Sequence, residues 1–170
     1  MNAYGKIATG FVFAFGSFNV NGFDLLLDPV GWGLCVSGLD GLGRSMGEAA
    51  YRARSAAVLM VFVSIFELLG FFTRSDEDEG RISYVFGVLA SVAAFVTVWM
   101  VAGAIVERLR PQGDLAGAAL LDVLRWAVLG LGTLAVLAGS GYVVLGQVAL
   151  IAWFAAIAAL VIVLYAWARA

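Results

Sequence analysis

Three carboxylates stand out because they interrupt apolar sequence, where acidic side chains are rare. Asp24 and Asp28 bracket three leucines, and Glu67 interrupts the apolar run of residues 56–72. If residues 24–28 are helical, the i, i+4 spacing places Asp24 and Asp28 on one helix face. Two nearby carboxylates raise the pKa of one of them or bind a cation. The pattern therefore predicts a proton relay, a Na⁺ site or a site for a cationic substrate.

Each carboxylate also has a purely structural interpretation. Asp28 precedes Pro29, so it is an ordinary turn former in a polar loop. Glu67 lies deep in an apolar run, where an ionised carboxylate costs about 3 kcal/mol or more unless it is paired or faces a polar cavity. It also lies within two turns of Arg74, close to the end of that run. We predict Asp24, Asp28 and Glu67 as substrate- or ion-binding residues, with these structural roles as the alternative.

The composition predicts that helices in a lipid bilayer position these residues. Of the 170 residues, 63% are apolar and 13% are charged, and the mean hydropathy is +0.99. Soluble domains carry roughly a quarter charged residues. We therefore expect an all-α, polytopic transmembrane helix bundle, with residues 1–170 forming one integral membrane domain. The net charge of -2 and the lack of a basic patch exclude a nucleic-acid partner.

The inventory of reactive side chains argues against an enzyme. The chain has no histidine and a single cysteine, Cys35, which removes imidazole-based triads, thiolate metal sites and disulfides within the chain. No phosphate-binding GxxxxGK[ST] loop occurs. We assign no catalytic residue, no metal site and no cofactor, and an enzyme is the least favoured class.

The apolar runs predict six membrane spans. The first two are short, because 14 helical residues rise about 21 Å against a hydrocarbon core of ~30 Å. Either the first span continues to residue 27 and a polar turn at Asp28-Pro29 follows, or the two runs form a re-entrant N-terminal hairpin beside five spans. The runs cover residues 7–20, 30–42, 56–72, 82–106, a stretch ending near 138, and 142–167.

The distribution of basic residues predicts the orientation. With six crossings, eight Lys and Arg residues fall on one side and two on the other. Basic residues near spans favour the cytoplasmic side. We therefore expect a multi-pass protein of the cell (inner) membrane with both termini in the cytoplasm. Asp122 and Arg125, spaced i, i+3, predict a local ion pair at the cytoplasmic face.

Small residues recur at four-residue spacing in the later spans, and such faces let helix backbones approach closely in lipid. They predict packing within one bundle or, alternatively, contact with a membrane-protein partner or a second copy of the chain. The tryptophans, Trp32 among them, are predicted to be interfacial anchors except for Trp153, which falls within a span. The small residues are Ala90, Ala94, Gly132, Ala135, Gly139, Ala152, Ala155, Ala156 and Ala159.

The stretch NGFDLLLDPVGWGLCVSGL resembles the NG-(F/I)-D-L-L-P-D-x-(I/V)-G-(Y/W) segment of an uncharacterised family of small multi-pass membrane proteins from Gram-positive bacteria. It covers about 25 residues, and Leu27 stands where the family has proline. The resemblance implies a bacterial inner-membrane protein and implies no activity.

Two functions are compatible with these patterns. The first is a transport protein or substrate-binding membrane subunit whose cavity is lined by the three carboxylates. Six spans in under 200 residues are similar in architecture to the substrate-capturing subunits of energy-coupling-factor vitamin transporters. The second is a non-catalytic assembly or accessory subunit that packs against a larger partner. Carboxylates that converge on one cavity favour transport, and an exposed face of small residues favours the accessory role.

Overall fold

The computed structural model describes residues 2–16, 19–20, 23–24, 28–42, 47–73, 81–138 and 141–169, with side chains for 2–16, 28–42, 47–69, 85–138 and 141–169. Within these ranges the chain is helical apart from one pair of two-residue strands, which confirms the all-α prediction. The elements are α1 (Ala3–Phe15), β1 (Asn19–Val20), β2 (Phe23–Asp24), α2 (Asp28–Gly41), α3 (Glu48–Thr73), α4 (Arg81–Leu109), a 3₁₀ helix (Arg110–Gln112), α5 (Leu115–Ala138) and α6 (Val143–Arg169).

Three helices in the described ranges are long and apolar enough to cross a membrane: Val85–Gln112, Leu115–Ala138 and Val143–Arg169. The first two helices are shorter. α1 has 13 residues and α2 has 14, so each rises about 20 Å, less than the ~30 Å of a hydrocarbon core. A first helix that continues to residue 27 is therefore wrong, because α1 ends at Phe15.

A small β-hairpin joins these two short helices. β1 and β2 are antiparallel, with Asn19 opposite Asp24 and Val20 opposite Phe23. The two residues between the strands, Asn21 and Gly22, lie outside the described ranges, but Asn-Gly is the pair most favoured in two-residue hairpin loops. The expectation that Asp24 and Asp28 share a helix face is therefore wrong, because Asp24 belongs to β2 and α2 begins at Asp28.

The six helices form a closed, up-and-down ring. Each helix packs against its neighbours in sequence, and α6 packs against α1 to close the ring. The α1–α6 contact is antiparallel: Tyr4 stacks edge-on with Trp167 near one end, and Phe15 with Trp153 further along. Between them the hydroxyls of Thr9 and Tyr165 are 2.8 Å apart. This order places α6 opposite α3 across the ring.

Glycines bring α1 and α2 into close contact. A Cβ added at Gly31 would lie 2.7 Å from the amide nitrogen of Ala14 and from the carbonyl oxygen of Gly10. A Cβ at Gly10 would lie 2.6 Å from the sulfur of Cys35. At Gly10 and Gly31 a side chain larger than hydrogen would therefore clash with the facing helix, as in closely packed membrane helix pairs.

Basic residues gather at one end of the ring, where α1, α3 and α5 begin and α2, α4 and α6 end. Two ion pairs lie there: Glu48 with Arg52, and Asp40 with Arg54 at 2.7 Å. The hydrogen bond from Arg52 to Glu48 raises the pKa of the arginine. The Lys and Arg residues at this end are Lys6, Arg52, Arg54, Arg108, Arg110 and Arg169.

Candidate functional site

A cavity of about 240 Å³, which we name the acidic cavity, lies inside the ring. Five of the six helices line it. The lining side chains offer carboxylates, serine hydroxyls, aromatic rings and apolar groups. They are Ala14 and Phe15 of α1, Asp28 and Trp32 of α2, Met60, Ser64 and Glu67 of α3, Ala90, Ser91, Ala94 and Phe95 of α4, and Trp153 of α6.

The acidic cavity lies about halfway along the bundle. Phe95 is the middle residue of α4, about 21 Å from either end at 1.5 Å per residue. The cavity also receives the last residue of α1, Phe15, and the first residue of α2, Asp28. The two short helices therefore stop at the level of the cavity, and the hairpin β1–β2 connects the two ends that line it.

The structure brings two of the three predicted carboxylates to the same cavity. Asp28 is in the first turn of α2, where the helix dipole favours a negative charge, and Pro29 follows it with a backbone angle suited to a helix start. Glu67 lies in the second half of α3, and its side chain is exposed at the edge of the cavity. The side chain of Asp24 lies outside the described part of the chain.

Aromatic rings form one wall of the acidic cavity. Phe15 stands edge-on to Trp32 at 5.8 Å between ring centroids and edge-on to Trp153 at 5.3 Å. The ring of Phe95 is tilted against that of Trp153, also at 5.3 Å between centroids. Trp32 is only 2% exposed, so its prediction as an interfacial anchor is wrong. The wall runs through α2, α1, α6 and α4, whereas Glu67 comes from α3, opposite α6.

Two serines add oxygen atoms to the lining. The hydroxyl of Ser91 donates a hydrogen bond to the carbonyl oxygen of Gly87, 2.8 Å away and four residues earlier in α4. Since its proton is used in this bond, the Ser91 oxygen faces any ligand as an acceptor. Ser64, one helical turn before Glu67, is buried. The polar part of the lining is thus rich in hydrogen-bond acceptors.

A second, apolar groove of about 320 Å³ shares Phe95 and Trp153 with the acidic cavity. It lies between α5 and α6, with Gly132 and Gln147 in its lining. A Cβ at Gly132 would lie 2.8 Å from the ring of Phe95 and 2.9 Å from Nε1 of Trp153. That Nε1 is buried and has no hydrogen-bond partner among the described residues. Trp153 therefore presents an unsatisfied donor on the side of the apolar groove.

A separate polar cluster surrounds Arg125, which forms the predicted ion pair with Asp122. The guanidinium carbon lies 5.0 Å from the centroid of the Trp99 ring, a cation–π geometry. The guanidinium of Arg125 also lies against Gly103 of α4, 2.6 Å from the position that an added Cβ would take. The Arg125 side chain is 18% exposed. Because Trp99 and Gly103 belong to α4, the contacts of Arg125 link α4 to α5. It is distinct from the acidic cavity.

The described residues contain no group of three or more His, Cys, Asp and Glu side chains that could hold a metal ion. The acidic cavity itself offers two carboxylates together with hydroxyl oxygens and aromatic faces. This chemistry suits a singly charged cation better than a divalent ion, which takes six or more oxygen ligands.

The chain matches no family model, no curated protein and no solved structure. The resemblance of residues 21–32 to a family of small multi-pass membrane proteins therefore stays a prediction.

The aromatic residues of the cavity are not predicted from the sequence: Phe15, Trp32, Phe95 and Trp153. Their number and spacing carry no local sign of a shared wall, because they come from four helices. The hairpin at residues 19–24 had a sign: Asn21-Gly22 sits between two short apolar runs, the usual mark of a two-residue hairpin loop.

Proposed function

We propose that this chain is an integral protein of the cell's inner membrane that binds a cationic solute in the acidic cavity. In this role it is a carrier or the substrate-binding subunit of a transport system. The observation that carries the proposal is that Asp28 and Glu67, from two different helices, line one cavity midway along a ring of helices. A carboxylate placed deep in a bilayer is expensive unless it serves a pathway, a partner charge or a wet cavity.

In the proposed topology α1 and α2 form the re-entrant hairpin that the sequence offered as an alternative, and the four long helices α3–α6 cross the bilayer. The bilayer is thus crossed four times and not the five times expected beside such a hairpin. The basic end of the ring is cytoplasmic, following the bias of Lys and Arg. The re-entrant hairpin α1–α2 enters from the cytoplasmic side. Each of its helices is about 20 Å long, so the hairpin ends near the level of Trp153. Non-helical backbone at such depth is tolerated where it lines a cavity, which suits the β1–β2 segment.

The aqueous access that this function needs is supported by the exposure of Glu67. Its neighbours Phe66 and Leu69 are exposed apolar residues that suit contact with lipid. Glu67 is the polar exception on this stretch of α3, and it lines the acidic cavity. We place the mouth of the cavity at Glu67.

The proposal is tested by the thermal unfolding of the purified protein in lipid nanodiscs, with chloride salts of sodium, potassium, ammonium and choline as probes. A bound cation stabilises the folded state by about 2.7 kcal/mol at a hundredfold excess over its Kd. At least one salt should raise the unfolding temperature of the wild type, but not that of Asp28→Asn or Glu67→Gln.

Asp40→Asn is the matched control, because Asp40 is an exposed carboxylate paired with Arg54 outside the cavity. This variant should keep the cation-dependent shift. If no salt shifts the wild type, or if all four proteins respond equally, the proposed binding function is wrong.

The alternative function, an accessory subunit that packs against a larger membrane partner or a second copy, receives less support. Ala94, Gly132 and Ala156 are buried inside the bundle, so these small residues serve packing within the chain. Ala155 remains exposed on α6. Under this alternative, Ala155→Leu abolishes co-purification of a partner from native membranes, and Asp28→Asn leaves it intact.

A further inference from the structure

The acidic cavity combines features that an inorganic cation does not use. Beside its carboxylates it carries an aromatic wall made of Phe15, Trp32, Trp153 and Phe95. Sodium and potassium prefer sites surrounded by oxygen ligands, and large apolar rings contribute none. Aromatic rings offer apolar surface to the methyl and methylene groups of an organic cation, and the faces of the rings also attract its charge.

We infer that the acidic cavity takes a small organic ammonium compound. This inference rests on the proposed function and names the chemical class of its ligand. The ammonium group lies beside Asp28 and Glu67, and its alkyl groups pack on the rings of Trp32 and Phe15.

The volume of the cavity agrees with a ligand of this size. Pockets for drug-sized ligands enclose about 300–1,000 Å³. At about 240 Å³ the acidic cavity lies just below that range and suits a molecule of several heavy atoms. A bare ion would leave most of the space to water, in contact with four aromatic rings.

Both carboxylates also interact with other parts of the protein. An ionised carboxylate has about four acceptor positions on its two oxygens. An internal partner therefore leaves positions for an ammonium group. The Ser91 oxygen, whose proton is already donated to Gly87, adds another acceptor at the same level.

The test is equilibrium binding of choline to the full-length protein in lipid nanodiscs, measured by isothermal titration calorimetry. Choline has a quaternary ammonium group and a hydroxyl oxygen. Its uncharged isostere 3,3-dimethylbutanol, tetramethylammonium, sodium and potassium are the comparison ligands. We expect choline and tetramethylammonium each to bind at least tenfold more tightly than the isostere, because only they carry the positive charge that Asp28 and Glu67 attract.

Substitutions in the wall and at the carboxylates make the expectation specific. Trp32→Leu should weaken choline binding about 3- to 30-fold, the range of a desolvated cation–π contact. Asp28→Asn should abolish choline binding, and Asp40→Asn should leave it unchanged. If Asp28→Asn does not fold, Glu67→Gln carries the same expectation, because the exposed side chain of Glu67 tolerates substitution.

The results separate this inference from the proposed function. If sodium or potassium binds in an Asp28-dependent way and choline does not, the ligand class is wrong and a cation-binding function stands. Equal affinity for choline and 3,3-dimethylbutanol also overturns the ligand class. If the folded protein binds none of the cations, both proposals are wrong.

Discussion

The α1–α2 contact provides a sharp stability test, because two of the four glycines in α2 have contrasting surroundings. At Gly31, a Cβ would lie 2.7 Å from two backbone atoms, the nitrogen of Ala14 and the oxygen of Gly10. Ordinary contacts begin at 3.4 Å, so Gly31→Ala must push the two helices apart by about 0.7 Å. Backbone atoms cannot rotate away as a side chain would.

The magnitude follows from what the separation loosens. A gap of 0.5–1 Å removes roughly a quarter to a half of the dispersion attraction across an interface. Between helices in lipid this attraction is a principal stabilising term. Overpacked sites in protein cores lose about 1–3 kcal/mol, and we expect Gly31→Ala to fall in the upper half of that range.

Gly33→Ala is the matched control in the same helix, because no atom lies within 4 Å of an added Cβ there. Since alanine favours helix over glycine, this variant should be unchanged or more stable by up to about 1 kcal/mol. The assay is reversible unfolding in mixed micelles of increasing SDS content, followed by circular dichroism. A Gly31→Ala protein as stable as the wild type would refute the close packing of α1 on α2. So would equal losses at both positions.

The remaining predictions concern the ends of the bundle. Asn2→Ala should lower the free energy of unfolding by about 1 kcal/mol in the same assay, because Asn2 caps α1 and also donates a hydrogen bond to the carbonyl oxygen of Ala168. An unchanged unfolding midpoint would contradict both roles. Arg125→Leu should cost about 1 kcal/mol, since it leaves the partly exposed Asp122 unpaired and removes the cation–π contact with Trp99, whereas Arg125→Lys should cost less. Equal losses would show that the charge is unimportant. A fluorescent protein fused to the cytoplasmic C-terminus should fluoresce, and alkaline phosphatase inserted on the opposite side, at residues 76–79, should be active. The opposite pattern would show that the orientation is reversed.

The helical fold and the end of the bundle where basic residues gather could be predicted from the sequence, because both follow from long apolar runs and the charges between them. The apolar runs that became α4, α5 and α6 are long enough to be unambiguous. Glu67 and Asp28 could be singled out, since a carboxylate in an apolar run is unusual wherever the run packs. The i, i+3 ion pair between Asp122 and Arg125 follows from helix geometry alone.

The ends of the short helices and the walls of the cavity could not be predicted in the same way. The Phe-rich run continues past Phe15 to Phe18 without a strong stop signal, and only the hairpin pairing of Asn19 with Asp24 shows where the helix ends. Trp32 has the composition and position of an interfacial anchor. Its burial depends on contact with Phe15 of another helix, and a single sequence does not encode that contact locally.

The central claim is that lipid surrounds this bundle and that its interior holds a wet, acidic cavity. Two positions two residues apart on α4 separate the inside from the outside: Ser91 lines the acidic cavity, and Leu89 is 61% exposed on the outer surface. The measurement is the labelling rate of Ser91→Cys and Leu89→Cys in intact membranes by membrane-impermeant thiosulfonates, one cationic and one anionic. The wild type, whose single Cys35 is buried, gives the background, and each rate is normalised to that of a small free thiol.

We predict that Ser91→Cys reacts about tenfold faster with the cationic reagent than with the anionic one, because Asp28 and Glu67 attract the positive charge. Leu89→Cys should react with neither, since lipid covers it. Faster labelling at Leu89→Cys than at Ser91→Cys, or equal rates for the two reagents at Ser91→Cys, would contradict the account.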